Sequence, residues 1–103
     1  MTKHVTKNLI KKTTFFQDFI QDVEIGTIED IEDISVSAYD QFDFENFLEF
    51  VEFIKKDEKT ITIKVPVEHV KRFERGQMII VVIALQNGEV TNPANLQVEI
   101  SRG

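Results

Sequence analysis

The sequence predicts an all-β protein, an antiparallel β-sandwich, and three observations carry that expectation. TITIKV at 60–65 alternates Ile61, Ile63 and Val65 with Thr60, Thr62 and Lys64, the period-two pattern of a half-buried strand. Met78–Leu85 is a run of eight apolar residues closed by Asn87-Gly88, the strongest short hairpin signal. LQVEIS then places Leu96, Val98 and Ile100 on one face of a closing strand.

The elements follow from there in both directions. Pro66 ends the 60–65 strand, because proline cannot donate to a ladder. Val67, Val70 and Phe73 recur every third residue before Gly76, which predicts a short helical turn near residues 67–75 stopped by the glycine. After the Met78–Gln86 strand and its Asn87-Gly88 turn, Glu89-Val90-Thr91 starts the return, and Asn92-Pro93 predicts a second turn before the final strand.

The first half is less regular. Phe15, Phe16, Phe19 and Ile20 fit either a helical turn or a bulged strand, and Val23 and Ile25 alternate. Ile28, Ile31 and Ile34 recur at a spacing of three, which predicts a loop or short turn pinned by isoleucines. Ser35–Tyr39 alternates as a strand. FDFENFLEFVEFIKK admits two readings. As a short helix within 42–54, Phe44, Phe47, Leu48, Val51 and Ile54 share a face, with acids early and lysines late. As a strand, Phe42, Phe44, Leu48 and Phe50 alternate and KKDEK turns into Thr60–Val65. Phenylalanine enrichment and the short step to a well-marked strand favour the strand for Leu48–Ile54. The total is about seven short strands.

At 103 residues the chain is expected to form a basic arm over 1–12 and a single sandwich domain over 13–103. The net charge of −6 conceals a gradient: +4 over residues 1–12, −12 over 13–58 and +2 over 59–103. An acidic total speaks against nucleic-acid binding, which needs clustered Lys and Arg. Without cysteine there are no disulfides and no thiolate metal site. The N-terminus lacks a signal-peptide core, and the longest apolar run is too short to span a bilayer, so neither export nor membrane insertion is expected.

Chemical motifs are sparse. Glu29, Asp30, Glu32 and Asp33 invite a calcium reading, but the glycine turn and distal glutamate of an EF-hand are missing, and a solvated acidic loop is expected. Glu68 and His69 are neighbours on one turn and do not face each other. No nucleophile elbow and no phosphate loop occur among four glycines. The expectation is a protein that is not an enzyme and takes no cofactor or metal.

The segment HVKRFERGQMIIVVIALQNGEVTNPANLQVEIS, with Phe73, Gly76, Met78, Asn87, Gly88 and the strand Leu96–Ser101, resembles the immunoglobulin-like domains of tailed-bacteriophage virion proteins, in baseplate, neck and tail accessory proteins. Thr14-Phe15-Phe16 and the turn before the strand at Asp30–Ile34 resemble the front half of those domains, while Met78 stands where they usually carry an aromatic. The resemblance implies an immunoglobulin-like fold and a structural or accessory subunit of the virion, assembled in the bacterial cytoplasm. It implies no active-site residues, because function on this fold lives in what is grafted onto it.

Met78–Leu85 is apolar on both faces. The expected arrangement puts Ile79, Val81, Ile83 and Leu85 in the core and leaves Met78, Ile80, Val82 and Ala84 outside. Burying one such side chain is worth about 1.5–3 kcal/mol, so the outer row calls for a cover. Two covers are expected: segment 42–54 as a helix, or another subunit. The charge gradient favours head-to-tail contact between copies. The expected interface therefore comprises Lys3, Lys7, Lys11, Lys12, Met78, Ile80, Val82, Phe42, Phe44 and Phe47, with copies of the chain and neighbouring virion proteins as partners. Two other readings stand beside it: an acidic DNA mimic that presents residues 13–58 to a host enzyme, and an adaptor that adds an edge strand to its partners.

Overall fold

The structure, a computed structural model, describes residues 7–26 and 31–102, with the side chains of Lys7, Thr91 and Asn92 outside that description. Its elements are β1 (Lys7–Thr14), β2 (Phe19–Glu24), β3 (Asp33–Asp40), β4 (Asp43–Leu48), β5 (Glu52–Lys55), β6 (Thr60–Val65), α1 (Val67–Val70), β7 (Gln77–Gln86) and β8 (Glu89–Ser101). They form two packed sheets, β1-β8-β7-β3-β4 and β2-β6-β5. Every pairing is antiparallel except that of β1 with β8, which is parallel.

The core lies between the sheets. Ile61, Ile63 and Val65 from β6 are fully buried, as the alternation of TITIKV requires, and meet Met78, Ile80, Val82, Leu96 and Val98 from the larger sheet in one cluster. Val70 and Phe73 plug one end at zero exposure. The helix that carries Val70 is shorter than the 67–75 expectation: α1 has four residues, and turns continue it, with Phe73 N–H donating to the Val70 carbonyl and Gly76 N–H to that of Phe73. Pro66 at its N-cap makes no side-chain cap, and Asp18 from the β1–β2 turn accepts the Val67 N–H instead at 2.8 Å. An orphan N–H of the first turn is thus satisfied from 49 residues away.

The larger sheet corrects the expected faces of β7. Met78, Ile80, Val82 and Ala84 point into the sandwich and are buried, whereas on the other face Ile79 is buried outside the core cluster and Val81, Ile83 and Leu85 are half-buried. The reason lies in β8. Asn87 (φ 53°) and Gly88 (φ 77°) make the expected turn with positive φ at both positions, which pairs Gln86 with Glu89 and Ala84 with Thr91. Continued unbroken, that register would set Ile79 against Leu96. Instead Asn92-Pro93 lies opposite the single residue Ile83 as a β-bulge, and beyond it Val82 pairs with Ala94 and Ile80 with Leu96. One extra residue moves Leu96, Val98 and Ile100 to the face of Ile80. The second turn expected at Asn92-Pro93 is this bulge, inside a continuous strand.

Three further expectations change. Segment 42–54 holds no helix and is strand, as favoured, but in two pieces, β4 and β5, separated by a crossing from one sheet to the other, so it does not cover the outer face of β7. Residues 7–12 belong to β1 and not to an arm. Phe15 and Phe16 lie in the turn between β1 and β2. The outer face of β7 is shaded by its flanking strands: Tyr39 and Gln97 are the cross-strand neighbours of Ile79, and Ser37 and Asn95 those of Val81. A central strand with neighbours on both sides needs no third layer to become half-buried.

Candidate interaction site

The residues expected at an interface separate into two groups. Met78, Ile80 and Val82 are sealed in the core of the single chain and offer nothing to a partner. Phe44 and Phe47 lie on β4, an open edge of the larger sheet, and Phe42 in the β3–β4 turn before it, 76%, 52% and 55% exposed. Lys3 lies outside the described residues; Lys7 is placed in β1 by its backbone, Lys11 is half-buried and Lys12 exposed.

Phe50, 85% exposed, follows β4 in the crossing to the smaller sheet, near Lys64, Pro66 and His69. It was absent from the expected interface, although its place in the alternation of FDFENFLEF was the signal that carried it. With rings of 150–250 Å² each, four phenylalanines more than half exposed leave apolar surface on the order of 500 Å². Scattered exposed apolar residues are ordinary, but four exposed rings within residues 42–50 are an unusual concentration. Ile10, Ile20 and Ile54 are also largely exposed, on β1, β2 and β5.

Polar contacts hold this edge in place. β4 gives the core only Leu48. The Asn46 amide donates to the Arg72 carbonyl at 2.7 Å, and the Arg72 guanidinium reaches the Asn46 side chain and the Phe47 carbonyl at 3.5 Å. Arg75 donates to the Phe42 carbonyl at 3.2 Å. The link between α1 and β7 therefore grips β4 at both ends. Between the grips Phe44 lies 5.7 Å from the Tyr39 ring, centroid to centroid, in a tilted pair. The buried Asp40 carboxylate accepts the Phe42 N–H at 2.8 Å and closes the β3–β4 turn. Asp43, Glu45 and Glu49 are exposed among the rings, so the edge is aromatic and acidic together.

The outer face of the smaller sheet carries a second polar group. Asp22 accepts from the Lys56 ammonium and from the Thr62 hydroxyl. The Lys56 hydrogen bond, then that of Thr62, holds the Asp22 carboxyl below its usual range, and Asp22 in turn raises Lys56. Asp57 is lowered first by the Lys59 N–H that donates to it at 2.9 Å. These are exposed strand and turn contacts, on an open surface shared with Glu24 and Thr60. Of the acidic 29–33 segment, Glu29 and Asp30 lie outside the described residues, and Glu32 N–H donates to the Leu85 carbonyl at 2.7 Å. Among the described residues no three His, Asp or Glu side chains gather as metal ligands, and no helix is long and apolar enough to cross a membrane.

No family model and no curated protein matches the chain. Among solved structures it is similar to the crystal structure of the titin M3 domain, with a TM-score of 0.56 over 99% of this chain and 96% of that one, at 10% identity. The fold is immunoglobulin-like. At this identity the likeness speaks for the fold alone. Within the immunoglobulin-like frame the larger sheet ends in β1 on one side and β4 on the other, and the exposed Phe44 and Phe47 occupy the second of these edges.

Proposed function

We propose that this immunoglobulin-like chain is a non-enzymatic assembly subunit, a structural or accessory component of a tailed-phage virion, that docks through its β4 edge. One observation carries the docking: Phe44 and Phe47 stand exposed on an open edge strand gripped by polar contacts, with Phe42 and Phe50 exposed in the segments that flank it. Aromatic rings held in place lose little entropy on contact and dominate interface energetics. The virion setting is supported by the sequence resemblance at Phe73, Gly76, Asn87, Gly88 and Leu96–Ser101. Rings interleaved with Asp43, Glu45 and Glu49 suit a protein partner better than the DNA-mimic reading, which calls for charge without exposed aromatics.

The experiment is mass spectrometry on purified particles of the phage that encodes the chain. The wild-type chain is expected in fixed proportion to the other virion proteins, and Phe44→Ser/Phe50→Ser is expected to stay in the soluble fraction. Absence of the wild-type chain from particles contradicts the virion reading. Unchanged incorporation of the double variant contradicts the β4 reading.

A further inference from the structure

The larger sheet has two open edges of opposite character. On β1, Ile10 is 67% exposed, with the half-buried Lys11 and the exposed Lys12 beside it. On and after β4, Phe44 and Phe47 are exposed among Asp43, Glu45 and Glu49. Residues 40–52 contain five acids and no base. Among the described residues nothing pairs with the outer side of either strand.

We propose that the β4 edge receives the β1 edge of a second copy of this chain, head to tail. This names the partner for the docking surface put forward above and rests on that reading. Strand direction permits it. β1 runs with β8, β8 against β7, β7 against β3 and β3 against β4, so β1 and β4 run oppositely. Two copies side by side in the same orientation therefore bring β1 to β4 antiparallel, and the five-stranded sheets continue one another.

Charge selects this junction over the others. A β1–β1 contact sets lysines against lysines, and a β4–β4 contact sets Asp43, Glu45 and Glu49 against their own copies, with Arg72 and Arg75 already engaged on carbonyls at the two ends of the strand. Only the unlike pair brings Lys11 and Lys12 to Glu45 and Glu49 with Ile10 against the Phe44 and Phe47 rings. The contact is heterologous, since each copy gives one edge and takes the other. Side chains carry it more than backbone. Glu45 N–H already donates to Asp43 at 3.2 Å, and Arg72 and Arg75 take the Phe47 and Phe42 carbonyls. Lysines on β1 are also the usual guard of an edge strand against indiscriminate pairing; here that guard leaves an acidic edge as the acceptable neighbour.

Sedimentation velocity on the full chain over a concentration series at low salt tests the proposal. Self-association that weakens with added salt is expected. Lys11→Glu/Lys12→Glu and Glu45→Lys/Glu49→Lys, each checked for an unchanged far-ultraviolet circular dichroism spectrum, are each expected to raise the dissociation constant at least about tenfold. Mixed in equal amounts, the two variants regain association, because each reversed edge meets its reversed counterpart and each unaltered edge its own. Ile10→Ser weakens association without touching charge. A wild-type chain that is monomeric throughout overturns the proposal, as does a mixture no more associated than its components. If the chain is monomeric yet Phe44→Ser/Phe50→Ser strips it from particles, the second copy is excluded and the β4 docking surface stands. If it associates as described while incorporation ignores the rings, the β4 edge still receives the second copy, and only its role in particle incorporation fails.

Discussion

Gly76 and Ile100 meet backbone to backbone: the Gly76 carbonyl accepts the Ile100 N–H at 2.8 Å, and a Cβ on Gly76 would stand 2.9 Å from the Ile100 carbonyl oxygen. With φ at +81° the position is also one that L side chains rarely adopt. Gly76→Ala therefore carries both backbone strain and a collision with the end of β8, and is expected to lose about 2–4 kcal/mol. Gly88 has φ +77° but open space around it, so Gly88→Ala carries strain alone, about 1 kcal/mol. Urea unfolding of the two variants side by side checks the ranking.

The bulge at Asn92-Pro93 decides which face of β7 is core, and truncations on the two faces report it. Ile80→Ala removes a fully buried side chain and is expected to lose about 2–5 kcal/mol. Ile83→Ala, on the half-buried outer face opposite the bulge, is expected to lose about 1 kcal/mol. Equal losses would mean that the outer face is covered in the isolated chain.

Asp18 caps a helix that cannot cap itself. Asp18→Ala leaves the Val67 N–H without its acceptor and is expected to lose about 0.5–2 kcal/mol in thermal or urea unfolding. Asp18→Asn keeps an acceptor oxygen and recovers most of that loss.

The Asp22–Lys56 pair predicts a pH window. Asp22 is lowered in the folded chain from a usual value of 3.8, so its contribution is present above 3.8 and fades as pH falls through the folded value. Lys56 is raised from 10.5, so its contribution is present below 10.5 and fades as pH rises through the folded value. Asp22→Asn should therefore lower the unfolding midpoint slightly between these limits and converge with the wild type in stronger acid. Both groups are exposed, which keeps the effect small and sensitive to salt.

Much of the immunoglobulin-like frame was legible because local pattern and tertiary demand agree: TITIKV, the Asn87-Gly88 turn and LQVEIS each state their own structure. The inward face of β7 was not legible, since Met78–Leu85 is apolar on both sides and its register depends on a bulge in the next strand. Segment 42–54 left helix and strand both open, with the strand favoured, because its phenylalanines satisfy both periods; as strands they are exposed, so no buried face enforces a clean alternation. Of the residues named from the sequence, Phe42, Phe44 and Phe47 are exposed, but they were named as a cover for the outer face of β7, which β4 at the sheet edge does not provide. The grips from Arg72 and Arg75 were not legible, because contacts across 25 to 33 residues between a loop and an edge leave no local pattern.

The central claim is that the β4 rings serve contact and not stability. The measurement that bears on it most directly is the unfolding free energy of Phe44→Ser/Phe50→Ser in the isolated chain. The account predicts a value within about 1 kcal/mol of the wild type, as for substitutions at exposed positions. A loss as large as that of Ile80→Ala would contradict it, since those rings would then belong to the core.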